Sequence, residues 1–189
     1  MPIPNLHITA LEVTHSKTEP EIQKLVQDIR PIAPSLVSHT LTHRTRLIKP
    51  MVSFDAAALA LSFVPAAGES LPPGRTKEDD AFTYHHLRKD LYELCTNAGV
   101  GVDSRYVVPS SHLTIARFIE SGLGKEGVRA LVEKIEEVNA WLEEEYWPKG
   151  DAGIKEGGEW IVGEETGLVC RAGTLWYGEG ETVLLSEGF

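Results

Sequence analysis

Apolar and polar positions along the chain fall into short blocks with two different spacings. Residues 5–13 (NLHITALEV) are rich in β-formers and free of Gly and Pro, which predicts a strand. The run TEPE at 18–21 reads as a helix start, with Thr18 as cap and Pro20 in the first turn. Ile22, Leu25, Val26 and Ile29 follow at helical spacing, and Pro31 and Pro34 end that helix. Two strands are expected next. The first, 43–53, is an edge or broken strand because it contains Pro50; the second, 57–64, is nearly all apolar and suits a buried position. Residues 65–80 carry Pro, Gly and charge, and form the best candidate for a boundary or mobile segment. A helix over 80–98 puts Leu87, Leu91, Leu94 and Cys95 on one stripe, with Gly99 and Gly101 at its end. Strands are expected at 104–108 and 111–120. A long amphipathic helix over 125–145 buries Val128, Leu131, Val132, Ile135, Val138 and Leu142. Strands at 159–163 and 168–177 follow.

The order of these elements repeats itself. A strand carrying His-x-Thr, a helix and two strands occur on each side of a linking helix and strand. The expectation is an α+β protein: a single domain over 1–189, with one lobe at about 1–66, a second at about 104–180, and the linking helix at about 80–98.

Residues i and i+2 of a strand point to one face. His7 and Thr9 then project together, and so do His112 and Thr114. Their neighbours Leu6, Ile8, Leu113 and Ile115 are apolar, so each strand sets a polar pair into a hydrophobic run. Cleavage of a phosphodiester suits such a pair of strands. An attacking water must lose a proton while a leaving oxygen gains one, and two imidazoles can do both. The threonine hydroxyls can donate to the non-bridging phosphate oxygens. One His-x-Thr alone is weak, and a lone histidine is more often a hydrogen-bonded structural residue. A third match, His43-Arg44-Thr45, lacks the apolar flanks and ranks as a decoy.

Composition narrows the substrate more than the fold. The 189 residues are 42% hydrophobic, enough for a core, and the net charge is −10. That charge argues against a protein that coats duplex nucleic acid through a broad basic face. It leaves room for a small anionic substrate held by a few local cations. Cys95 and Cys170 are in no CxxC pair and read as buried thiols in a reducing compartment. No leader and no run of about 18 apolar residues is visible, so a cytoplasmic or nuclear protein without a membrane contact is expected.

The segments LHITALEV and SHLTIARF resemble the paired H-x-T-x signatures of the two-histidine (2H) phosphoesterase superfamily. MVSFDAAALALSFVPAAGE, YHHLRKDLYELC, SRYVVPSSHLTIARF and GTLWYGEGE resemble a fungal branch described as RNA ligase/cyclic nucleotide phosphodiesterase-like. The resemblance implies a bilobal, pseudo-symmetric fold with a cleft between two antiparallel sheets and helices outside. It implies metal-independent chemistry with no cofactor, proton transfer by His7 and His112, and phosphate binding by Thr9 and Thr114. Superfamily members open 2′,3′-cyclic phosphates, open ADP-ribose cyclic phosphate, trim RNA 3′ ends or ligate RNA. The expected activity is opening of a nucleoside or RNA-terminal 2′,3′-cyclic phosphate to a monophosphate by a monomer. The alternatives on the same site are an RNA 3′-end exonuclease and a non-catalytic module that binds nucleotides or RNA ends.

Further candidates each have a plainer reading. Arg105 could contact phosphate and Tyr106 could stack on a base, or be a surface arginine and a core tyrosine. Trp176 and Tyr177 could form a base platform, or pack in the core. His85 and His86 open a helix, where capping or exposure is the plainer role. Arg46 and Lys49 alternate with apolar residues and face either a cleft or solvent. The run 122–127 matches G-x-G-x-x-G but follows a polar strand and lacks the parallel units of a dinucleotide fold. A metal site is not expected, since each motif offers one ligand.

Overall fold

The computed structural model describes residues 2–104, 110–119, 122–150, 153–173 and 180–187. Helix α1 (Glu19–Ile29) begins as the sequence indicates, with Thr18 extended at the N-cap and Pro20 in the first turn. The Glu21 carboxylate accepts from the Thr18 backbone N–H at 2.8 Å and from its hydroxyl at 2.6 Å. After Ile29 the chain starts again as α2 (Ala33–Thr42), a helix the sequence reading left out. Pro34 lies in the first turn of α2. A proline that cannot continue one helix is well suited to open the next.

Four strands make one antiparallel sheet: β1 (Thr45–Phe54), β2 (Ala58–Pro65), β3 (Ser111–Arg117) and β4 (Glu159–Val162), in the order β3-β2-β1-β4. β1 is therefore an interior strand rather than an edge, and it is broken at Pro50, the other half of the expectation. Pro50 is accommodated because the β1–β2 register shifts between Ile48 and Met51, where Lys49 takes a φ of 56°. β4 accompanies β1 only from Thr45 to Ile48. Beyond that point helix α4 (Lys125–Tyr146) takes over. The Asn139 carboxamide accepts from the Val52 N–H at 2.6 Å and donates to the Val52 carbonyl at 2.9 Å. The Trp147 indole N–H donates to the Pro50 carbonyl at 2.9 Å. These bonds satisfy backbone groups that a missing strand would otherwise leave open. Of the expected α4 face, Ile135 and Leu142 are buried, while Val128 is exposed.

Helix α3 (Tyr84–Asn97) follows its stripe closely: Tyr84, Leu87, Leu91 and Cys95 are buried. They join Ile29, Ala33, Leu36 and Leu47 in the main core. A second sheet pairs β5 (Val169–Ala172) with β6 (Glu181–Leu185), and β6 was not anticipated. The strand expected at 104–108 lies, apart from Ser104, outside the described residues, as does much of that expected at 168–177.

The coarser part of the expected fold is present: an α+β chain with two antiparallel sheets. The sheets do not divide as the two halves do, because β1 and β2 pair with β3 and β4 from the later part of the chain. Nor is 65–80 loose. Arg46 is 1% exposed and faces neither a cleft nor solvent. It donates to Asp80 at 2.7 Å, Glu159 at 3.0 Å and the Glu69 carbonyl at 2.6 Å. Arg75 reaches the same Asp80 at 2.9 Å, and Lys49 pairs with Glu69. Burial alone would raise the Asp80 carboxyl. Hydrogen bonds from Arg46, Arg75 and the Gly68 N–H outweigh it and hold Asp80 below the usual carboxylate range. Among the described residues no helix is long and apolar enough to cross a membrane.

Candidate active site

β3 supplies half of the site, with its pairing to β2 in regular register from Ser111 to Thr114 and shifted beyond it. His112 lies opposite Ser62, and Thr114 opposite Ala60, so both share one face while Leu113 turns to the other. The first motif differs from expectation. Residues 3–5 form a 3₁₀ turn, and the segment 6–13 is not a strand. An antiparallel bridge between Ile8 and Leu113 ties it to the sheet. The reason lies in where its carbonyls go. The Tyr84 hydroxyl donates to the Thr9 carbonyl at 2.8 Å, and Arg88 Nη1 donates to the Ala10 carbonyl at 2.9 Å. The Val13 carbonyl accepts from the Asp103 N–H. These bonds turn the Thr9, Ala10 and Val13 carbonyls toward α3 and the segment after it, and the bridge does not extend into a ladder.

One bridge still sets the register. With Ile8 opposite Leu113, His7 falls opposite Thr114 and Thr9 opposite His112. Counted from that bridge, the two histidines lie within two residue positions of one another across the pair of segments. His7 and His112 also sense one another electrostatically.

The two rings have different surroundings. His7 is exposed, and its Nδ1 lies 2.8 Å from the Asn5 carbonyl. A carbonyl only accepts, so Nδ1 carries the proton and Nε2 is left as the working nitrogen. His112 is half-buried, with Nδ1 at 3.0 Å from the Ser110 hydroxyl. Burial lowers its pKa most; the Arg88 and His7 charges lower it further. A hydrogen bond to the Ser110 backbone and the Asp55 carboxylate act against this, and the net shift is downward.

Four contributors went unrecognised in the sequence. Ser62 sits opposite His112, and its hydroxyl lies 2.6 Å from that of Ser53. Asp55, in the β1–β2 turn, is kept ionised by the Ala57 and Ala58 N–H groups. Tyr84 and Arg88 belong to α3. For Arg88 a signal existed: it follows Tyr84 by four residues, so a cation flanks an otherwise apolar stripe.

The other candidates fall elsewhere. Arg105, Tyr106, Trp176 and Tyr177 lie outside the described residues. The third His-x-Thr is not at the site: His43 caps α2 and stacks on His39 with centroids 4.3 Å apart, and Thr45 is fully buried. His86 caps α3, its Nδ1 accepting from the Thr83 N–H at 3.1 Å. In 122–127, Gly124 caps α4, and the strand before it is antiparallel to its neighbour, unlike a dinucleotide fold. A cavity of about 550 Å³ lies beside His43, Arg44, Arg75 and Phe82 and includes neither His7 nor His112. Among the described residues no group of three His, Cys, Asp or Glu is placed to hold a metal ion.

Comparison of the chain with family models, with curated proteins and with solved structures finds no match.

Proposed function

We propose that this protein is a phosphodiesterase of the two-histidine type, opening the 2′,3′-cyclic phosphate of a nucleoside or an RNA 3′ end to a monophosphate. The observation that carries the proposal is the Ile8–Leu113 bridge, which sets the two His-x-Thr segments side by side. His112 is the ring held neutral to lower pH, which suits the base. It takes a proton from water as the water oxygen attacks phosphorus. The bond from phosphorus to one ribose oxygen breaks, and His7 Nε2 protonates that oxygen. The Thr9 and Thr114 hydroxyls donate to the non-bridging oxygens, where negative charge grows. Both proton transfers are made by imidazoles, so the reaction as drawn has no step for a metal.

The test is turnover of the four nucleoside 2′,3′-cyclic phosphates in EDTA, with products separated by chromatography. A single monophosphate isomer is expected. His7→Ala and His112→Ala should each lower the rate by about 10²–10⁴. No turnover of any of the four by folded protein, or a loss well under 100-fold in both variants, would remove the proposal.

A further inference from the structure

The first motif meets the rest of the protein through the packing of Ile8, Ala10, Leu11 and Val13 on the main core and through hydrogen bonds, two of which come from one turn of α3. The Tyr84 hydroxyl holds the Thr9 carbonyl, and Arg88 holds the Ala10 carbonyl. Arg88 and Tyr84 are also hydrogen-bonded to each other. Tyr84 itself is 1% exposed in the core, so the clamp stands on a fixed base. The Ile8–Leu113 bridge connects the same segment to β3. The distance between the two imidazoles is thus set as much by α3 as by the sheet.

We propose that Arg88 is a positioning residue of the two-histidine site, clamping the His7 segment in register with β3. This rests on the reading of the site as catalytic. Arg88 reaches the second histidine as well, because its charge opposes protonation of His112. The other groups facing His112 are Asp55, which acts in the opposite sense, His7, which acts with Arg88, and the Ser110 backbone. One guanidinium therefore holds one histidine in place and helps keep the other neutral. A lysine would keep the charge but lose the planar fork.

Arg88→Gln and Arg88→Lys separate the two actions. In Arg88→Gln, kcat on a cyclic phosphate should fall about tenfold or more with a smaller change in KM, as expected for a misplaced reacting group. The acid limb of its pH–rate profile should move upward. In Arg88→Lys the limb should stay and kcat should fall partway. The ring proton signals of His112, titrated by NMR, give a readout that needs no substrate. Their midpoint should rise in Arg88→Gln and not in Arg88→Lys. If wild-type protein turns over no cyclic phosphate, the functional reading fails, and amide exchange of residues 8–10 in Arg88→Gln still decides whether Arg88 clamps the His7 segment: faster exchange supports the clamp, unchanged exchange removes it. Tyr84→Phe, which removes one hydroxyl and keeps the packing ring, should speed amide exchange in residues 8–10 and serves if Arg88→Gln does not fold. An Arg88→Gln protein that is folded, with a wild-type His112 midpoint and kcat within about twofold, would overturn the proposal.

Discussion

His112 shows how one side chain links the fold to pH. Its folded pKa lies below the ordinary imidazole value near 6.5 because burial and the charges of Arg88 and His7 disfavour the proton. In the unfolded chain that constraint is gone, so between the folded pKa and about 6.5 the unfolded state binds more protons. The contribution of His112 to stability is full above about 6.5 and is lost as pH falls toward the folded value. Urea midpoints measured from pH 7.5 downward should fall through this range, and His112→Gln should flatten part of the slope. Asp80 makes a second case. It is 4% exposed and serves two arginines, so Asp80→Ala leaves Arg46 buried without its main partner. A loss of about 3–5 kcal/mol is expected from chemical denaturation. Neither residue could be read from the sequence in this role. Arg46, spaced between apolar neighbours, looks the same whether its strand face meets solvent or a buried carboxylate. The four motif residues stand out in the sequence because each polar pair interrupts an apolar run, and twice over in the same element order.

At the scale of elements, helices were easier to read than strands. α1, α3 and α4 carry local signals: a cap, a stripe and a terminating residue, all within a few positions. For β1, Pro50 marks the break but not the strand's place in the sheet, because that place depends on partners far away in sequence. The bulge at 48–51 and the Trp147 contact make its interior place possible. The strand expected at 5–13 has the right residues, but α3 takes its carbonyls. Helix α2 was missed because Pro34 was taken only as a stop. The joint between α4 and β1 offers a direct test. Asn139→Ala removes two hydrogen bonds and leaves the Val52 N–H and carbonyl without partners. A cost of about 1–3 kcal/mol is expected, read as a lower denaturation midpoint with an unchanged slope.

For the whole molecule, the expected symmetry was visible in element order, whereas the sheet pairing was not. Periodicity reports which face of a strand is buried and is silent on which strand lies beside it. β2 pairs with β3, and β1 with β4, so the larger sheet needs segments some fifty and more than a hundred residues apart. A fragment of residues 1–103 keeps β1 and β2 but loses both flanking strands. It should fail to fold, giving a collapsed amide spectrum by NMR. The full chain should unfold in a single transition, with helical circular dichroism and tryptophan fluorescence changing together.

The lone Ile8–Leu113 bridge has a kinetic meaning beyond its geometry. A segment without a ladder of its own, whose Ile8, Ala10, Leu11 and Val13 are only partly buried against the core, opens locally at a smaller free energy than the sheet it leans on. Each opening carries His7 away from His112 while the core stays intact. Substrate then meets a mixture of assembled and disassembled sites, and its apparent affinity is diluted by the assembled fraction. On warming, that fraction should shrink before the protein melts, so turnover should decline several degrees below the unfolding midpoint. Substrate bridging both motifs would draw the two temperatures together.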